Sequence, residues 1–147
     1  MPVEIESLPA ENGCQLVEAR NKRVLVVDDD EDTCALLAMM LQKEGFRIET
    51  AFDGQDALTK IKRSAPDMII LDVMLPRCGG YEVLRALQQG VLSGIPVLMI
   101  TGRTIDRTTF EMFLQEPNVV EFLRKPIRPI PLAMCLHRTL RTKPSAD

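Results

Sequence analysis

The chain has 147 residues, of which 46% are hydrophobic and 27% charged, as expected for one globular domain with a proper core. The net charge of −3 at pH 7 gives no general attraction to nucleic acids or anionic membranes, so we expect neither as a direct partner. The apolar runs are too short to cross a bilayer, and the four scattered cysteines lack metal-binding spacings, so we expect a cytoplasmic protein with reduced thiols.

The periodic pattern divides the chain into a tail, a domain and a second tail. Residues 1–21 carry little pattern, and we interpret them as an N-terminal tail, with disorder as one interpretation. We assign residues 22–142 to the domain and residues 143–147 to a C-terminal tail.

Within the domain, short apolar runs alternate with segments that have apolar residues at helical spacing. In chain order, the predicted elements are strand 24–27, helix 33–44, strand 46–51, a helix marked by Ala57, Leu58 and Ile61, strand 68–71, helix 81–89, strand 97–100, a helix from Thr104 to Gln115, strand 119–123, and a last helix with Pro129 and Pro131 in its first turn. Strands that are apolar throughout and alternate with helices predict an α/β fold, in which helices cover both faces of a parallel sheet.

Chemically active side chains follow four of the five predicted strands. Asp28 and Asp29 follow the first strand, Asp72 the third, Thr101 the fourth and Lys125 the fifth. Parallel strands end at one edge of a sheet, so we expect these groups to meet there. Converging carboxylates need a lysine or a hard divalent cation such as Mg²⁺ beside them. Carboxylates, a metal ion, an ammonium and a hydroxyl together suit the handling of a phosphoryl group.

Four segments resemble, in order and in spacing, the motifs of the response-regulator receiver domain, the phosphoacceptor domain of two-component signal transduction. They are Val-Leu-Val-Val-Asp-Asp-Asp-Glu at 24–31, Met-Ile-Ile-Leu-Asp-Val-Met-Leu-Pro at 68–76 with Gly-Gly at 79–80, Pro-Val-Leu-Met-Ile-Thr-Gly at 96–102, and Leu-Arg-Lys-Pro at 123–126. The resemblance extends from about Arg23 to about Leu140. It implies a doubly wound, five-stranded parallel sheet with the flavodoxin-like strand order 2-1-3-4-5.

The resemblance implies a role for each residue at the strand ends. Asp72 would be the phosphoacceptor, which takes a phosphoryl group from a phosphohistidine donor and forms an aspartyl phosphate. Mg²⁺ would be held by Asp29, by Asp28 mainly through water, by Asp72, and by the main-chain carbonyl of Met74. Lys125 would pair with Asp72 and then with the phosphoryl oxygens.

Four further residues would respond to the phosphoryl group or tune its lifetime. Thr101 would donate its hydroxyl to a phosphoryl oxygen. Phe122 would be the aromatic residue whose rotamer changes with phosphorylation, although a plain core role is also open. Met74 and Arg103 would project over the phosphoryl group, Met74 as a shield against water and Arg103 either as a second cation or as a solvated residue.

The implied function is a phosphorylation-controlled switch in a two-component system or phosphorelay, and not a classical enzyme, although the domain promotes its own phosphorylation and dephosphorylation. We expect a sensor histidine kinase or a histidine phosphotransfer protein as the donor. A downstream protein would bind the segment from Thr104 to Gln115, the fifth strand and the last helix, which form the family's usual output surface. We expect a monomer or a weak homodimer.

Two features depart from the family pattern. Gly102 stands where alanine is common, and the run of Glu116, Pro117 and Asn118 stands where Gly-Ala is common before the fifth strand. We therefore expect an unusual fourth helix and following loop. In addition, the family resemblance predicts a cis peptide bond before Pro126.

Other interpretations stay open beside a lone receiver. The chain can be the receiver module of a longer regulator with a separate output domain. The run 28–32 also begins like the Asp-x-Asp-x-Thr/Val motif of haloacid dehalogenase-type phosphatases, but Asp32 stands at the Thr/Val position. We interpret Asp30, Glu31 and Asp32 as residues that favour the N-terminus of the next helix. His137, the only histidine, is interpreted as a solvated residue of the last helix.

Overall fold

The computed structural model describes residues 15–102 and 104–144. Five strands and five helices alternate along these residues. The strands are β1 (Arg23–Val27), β2 (Arg47–Ala51), β3 (Met68–Asp72), β4 (Val97–Thr101) and β5 (Val119–Arg124). The helices are α1 (Glu31–Lys43), α2 (Gly54–Arg63), α3 (Gly80–Leu87), α4 (Arg107–Leu114) and α5 (Pro129–Leu140), with short 3₁₀ turns at Ala19–Asn21 and Gly90–Gly94.

The five strands form one parallel sheet in the order β2-β1-β3-β4-β5. This order confirms the predicted fold class. The strand order reverses next to β1, so β1 and β3 are neighbours and their carboxyl ends lie side by side. Ligand sites in such sheets form at this reversal, outside the carboxyl ends of the strands.

The core lies on both faces of the sheet because successive strand residues point to opposite sides. On β1, Val24 and Val26 pack in the cluster that contains residues of α1 and α5. Leu25 and Val27 pack in the second cluster, with residues of α2, α3 and α4. All four side chains are at most 1% exposed, which explains why the strand is apolar at every position.

Aspartates begin three of the helices. The side chain of Asp30 accepts a hydrogen bond from the Asp32 N–H at 3.1 Å and another from the Thr33 hydroxyl at 2.8 Å. Asp53 and Asp106 cap α2 and α4 in the same way. The capping interpretation of Asp30 is therefore correct. Because Asp106 caps α4, the helix begins at Arg107 and not at Thr104 as the sequence pattern predicted.

The described part of the segment that the sequence assigned to a tail, residues 15–21, contacts the domain. Ala19 is 6% exposed and belongs to the core cluster beneath α1 and α5. Val17 pairs with Thr142 in a parallel bridge, and its carbonyl accepts the Lys143 N–H at 3.0 Å. The sequence pattern did not predict these contacts, because the segment uses one small side chain, main-chain hydrogen bonds and the ion pair of Glu18 with Lys143. No helix in the described parts of the chain is long and apolar enough to cross a bilayer.

Candidate functional site

Three aspartates converge at the carboxyl ends of β1 and β3. Asp28 is completely buried, Asp72 is 4% exposed, and Asp29 between them on the rim is exposed. One carboxylate oxygen from each of the three lies within 4.8 Å of the others. The parallel register pairs Val27 with Leu71, so both strands end at the same level and deliver their acids to one place.

Lys125 reaches this acid cluster from the far side of β4. Its main-chain N–H donates to the Thr101 carbonyl at 2.8 Å, which extends the pairing of β4 and β5 by one residue. Its ammonium nitrogen lies 2.6 Å from Oδ2 of Asp28 and 3.4 Å from Oδ2 of Asp72. Desolvation lowers the pKa of this ammonium, but the two carboxylates outweigh that effect and raise the pKa above its ordinary value.

Gly102 leaves space for the lysine stem. A Cβ on Gly102 would lie 3.3 Å from Cδ of Lys125, so a small residue leaves room for the lysine stem. The Lys125–Pro126 peptide bond is cis, which confirms that prediction.

Asp72 is buried at a position where the negative charge of its carboxylate is poorly stabilised. Its Oδ1 accepts the main-chain N–H of Met74 at 3.2 Å, and its Oδ2 faces Lys125. Burial and then the neighbouring charge of Asp28 raise the pKa of Asp72 to about 6, against the lowering effect of the Met74 N–H and Lys125. The ionised carboxylate therefore lacks full compensation from the described residues.

Asp28 has a well-directed hydrogen bond at only one of its two carboxylate oxygens, counted over the described residues. Its Oδ1 accepts the Asp30 N–H at 2.9 Å. Its Oδ2 is buried and accepts no well-directed hydrogen bond from the described residues, although the Lys125 ammonium is close enough for an ion pair. One lysine thus faces two buried carboxylates and an exposed third. Oxygen donors with excess negative charge fit a hard divalent cation such as Mg²⁺.

The response residues predicted from sequence, Thr101 and Phe122, line one groove. Thr101 ends β4 and is 6% exposed. It also lines a groove of about 630 Å³ between α4 and β5, whose other walls include Phe110, Leu114 and Phe122. The Phe122 ring is partly buried, with its centroid 4.9 Å from that of Phe110 and 6.0 Å from that of Phe113. Phe122 therefore lies at the edge of the core, and its ring borders this groove.

Met74 is 55% exposed and lines a second cleft of about 310 Å³ together with Asp29, Asp72, Gly102 and Lys125. Asp72, the predicted phosphoacceptor, therefore opens onto this cleft. Arg103, the other residue assigned to lifetime control, lies outside the described residues.

The interpretation of His137 as solvated is wrong, because this residue is 8% exposed. Its Nδ1 lies 2.6 Å from the Thr142 hydroxyl, its Nε2 lies 2.8 Å from Oε1 of Glu44, and its ring packs 5.1 Å from that of Phe46. Arg141 turns the chain in the left-handed conformation, at φ 55°, and brings Thr142 back over the helix end. None of these partners could be read from the helical pattern alone.

Sequence reasoning also missed a buried polar group at Glu116 and Asn118, which are 5% and 6% exposed. The available signal was the departure from Gly-Ala at these positions, which predicted only an unusual loop. The structure places Glu116 beside Tyr81 and Arg85 of α3, and Asn118 beside Gln88 and the Ile95 carbonyl.

Comparisons with known proteins agree with this geometry. The family model described as the response regulator receiver domain matches residues 24–136. The chain is 39% identical over 109 residues to the alkaline phosphatase synthesis transcriptional regulatory protein PhoP of Bacillus subtilis, which covers 74% of this chain and 44% of that protein. It is 34% identical over 126 residues to the DNA-binding response regulator MtrA of Mycolicibacterium smegmatis. That match covers 85% of this chain and 53% of MtrA. The chain thus spans about half the length of these relatives.

Solved structures give the same match at the level of the fold. The chemotaxis protein CheY4 of Vibrio cholerae superposes with a TM-score of 0.74 at 32% identity, covering 81% of this chain and 98% of that one. A CheY-like receiver domain protein of Methanospirillum hungatei superposes with a TM-score of 0.76 at 26% identity. That superposition covers 82% of this chain and 94% of the other one. In both cases almost the whole of the other chain corresponds to the fold described above.

Proposed function

Because this chain belongs to the response regulator receiver domain family, we propose that it is a phosphorylation-controlled switch that accepts its phosphoryl group on Asp72. The observation that carries the proposal is the arrangement of Asp28, Asp72 and Lys125, in which one ammonium faces two buried carboxylates beside an open cleft. The donor is a phosphohistidine of a sensor kinase or phosphotransfer protein in the cytoplasm.

In the proposed transfer, a carboxylate oxygen of Asp72 attacks phosphorus and forms the aspartyl phosphate. The bond between phosphorus and the histidine nitrogen breaks, and its electron pair stays on the imidazole. The Lys125 ammonium, which lies 3.4 Å from Oδ2 of Asp72, then pairs with the phosphoryl oxygens and stabilises their negative charge. The domain supplies position and charge compensation for this step, and the same groups serve the later attack of water.

Asp28, Asp29, Asp72 and the main-chain carbonyl of Met74 would hold Mg²⁺. The buried Oδ2 of Asp28 supports this assignment, because it pairs with the Lys125 ammonium at 2.6 Å but accepts no well-directed hydrogen bond from the described residues. When bound, Mg²⁺ supplies positive charge to the phosphoryl oxygens. Asp29 is the exposed member of the set.

The output proposed for the switch is a change in the α4–β5–α5 surface. The phosphoryl group draws the Thr101 hydroxyl inward, and Phe122 follows into the space that Thr101 leaves. Hydrogen exchange with and without beryllofluoride should then change in the segment from Thr104 to Gln115, in β5 and in α5. Changes confined to α2 and α3 would contradict this output.

The length comparison favours a second form of the same function, a receiver module within a longer regulator. The chain spans about half of the curated relatives, two of which are described as DNA-binding or transcriptional regulators. In that form, contact with DNA belongs to another part of the protein. A phosphatase of the haloacid dehalogenase type gains no support, since the second aspartate of that motif, Asp30, caps α1 instead.

We further propose that Met74 lengthens the life of the phosphorylated form. Its exposed thioether stands at the cleft and offers no good hydrogen bond to a water in line with the phosphorus–oxygen bond. Arg103 keeps its two sequence-based alternatives, a second cation or a solvated side chain.

The assignment of Asp72 is tested with acetyl phosphate and intact-mass spectrometry. The parent protein should gain one phosphate in the presence of Mg²⁺ and none in its absence. Asp72→Asn should gain none, whereas Asp56→Asn, which removes a partly exposed acid that pairs with Lys60 on α2, should label like the parent. Equal labelling of Asp72→Asn and the parent would refute the assignment.

A further inference from the structure

Glu116 is a buried carboxylate that joins three elements. It lies in the loop between α4 and β5, is 5% exposed, and has Arg85 of α3 at 3.2 Å and 3.4 Å from its two oxygens. The Tyr81 hydroxyl, also on α3, donates to Oε2 at 3.4 Å. Its main-chain N–H donates to the Phe113 carbonyl at the end of α4. Glu116 therefore fixes the end of α4 against α3.

A row of aromatic rings begins at this anchor and ends at Phe122. The edge of the Tyr81 ring meets Phe113, with centroids 5.5 Å apart and planes at 83°. Phe113 in turn meets Phe122 edge to face, with centroids 6.0 Å apart and planes at 86°. Phe113 is 2% exposed and so cannot shift without its neighbours.

We propose that Glu116 and Tyr81 are positioning residues that hold this ring row in place and thereby oppose the movement of Phe122. The inference rests on the proposed function, because it assigns the restraint against which phosphorylation works. The side-chain partners of Glu116 are Tyr81 and Arg85, which belong neither to the phosphoryl site nor to the proposed metal ligands.

A contact can regulate the switch only if it stabilises one position of Phe122 more than the other. In the present structure Phe122 makes edge contact with Phe113, and this contact is lost if Phe122 moves toward Thr101. Anything that holds Phe113 in place therefore stabilises the present state more than the moved state. An aromatic pair of this kind changes an equilibrium by roughly two- to tenfold.

The test compares Tyr81→Phe and Glu116→Gln with the parent. Tyr81→Phe removes only the hydroxyl and keeps the ring, so it should fold even if Glu116→Gln does not. Beryllofluoride is titrated in the presence of Mg²⁺, and the ring resonances of Phe122 are followed by NMR. Glu49→Gln is the control of equal charge, because Glu49 pairs with Arg23 and Arg63 at the other edge of the sheet.

We expect Tyr81→Phe and Glu116→Gln to lower the half-saturating beryllofluoride concentration by roughly two- to tenfold, because each removes or weakens one hydrogen bond between Tyr81 and Glu116. Without beryllofluoride, their Phe122 resonances should already lie closer to the saturated position, while Glu49→Gln should match the parent. Unchanged half-saturation together with unchanged Phe122 resonances would overturn the proposal. If the parent neither binds beryllofluoride nor accepts phosphate on Asp72, the proposed function fails. In that case the ring restraint is tested separately: Phe122 resonances that are the same in Tyr81→Phe as in the parent would overturn it.

Discussion

Replacing Asp72 by asparagine should stabilise the metal-free protein at neutral and alkaline pH. The pKa of Asp72 is raised from its ordinary value of 3.8 to about 6, first by burial and then by Asp28. A folded-state pKa above the unfolded value means that ionisation opposes folding. The penalty is absent below pH 4, grows as pH rises through the interval from 4 to 6, and is complete above it.

The size of the effect follows from the same numbers. A rise from 3.8 to about 6 corresponds to about 3 kcal/mol at about 1.4 kcal/mol per pH unit. The Asp72 side chain is only 6% exposed, so solvent screening takes little from this figure. We expect Asp72→Asn to gain about 3 kcal/mol in its free energy of unfolding at pH 8, and about 1 kcal/mol at pH 4.5.

The assay is urea unfolding in the presence of EDTA at the two pH values. With a slope of about 2 kcal/mol per molar urea, the midpoint at pH 8 should rise by about 1.5 M. Asp29→Asn is the matched control, because it makes the same change of charge at an exposed position of the same cluster. A gain that is equal at both pH values, or equal in the two variants, would refute burial of Asp72 as the cause.

Three further outcomes follow from the site and the core. Asp29→Ala should raise the Mg²⁺ concentration needed for half-maximal labelling of Asp72, and an unchanged titration would remove Asp29 from the ligand set. Met74→Asn should dephosphorylate faster than the parent in a decay experiment, because the amide can position water; an equal or slower rate would contradict shielding. His137→Leu should lower the free energy of unfolding by about 1–3 kcal/mol, since it removes two hydrogen bonds among buried groups, and thermal unfolding measures this.

The acid cluster could be predicted because its causes are local. Four of the five strands are short runs that lead into an acid, a threonine or a lysine, and parallel strands stop at one edge. The apolar pattern alone did not give the strand order. That order came from resemblance, since many arrangements of five parallel strands have the same periodicity.

The contacts that were missed join residues distant along the chain. His137 is paired with Glu44 across 93 positions, and no helical pattern encodes that distance. Glu116 meets Arg85 across 31 positions, and a charged residue in a loop is ordinarily solvated. Both are buried polar groups whose partners became visible only with the packing of α1, α3 and α5.

The bridge between Val17 and Thr142 has a practical consequence for rearranging the gene. Two points that lie 125 positions apart in sequence are neighbours in space, so a short linker from residue 144 to residue 15 would close the domain into a loop. New termini could then be opened in the exposed turn at Gly90–Gly94, where Val91 is 93% exposed. Such a circular permutant would interrupt none of the five strands and would move both free ends to the connection between α3 and β4.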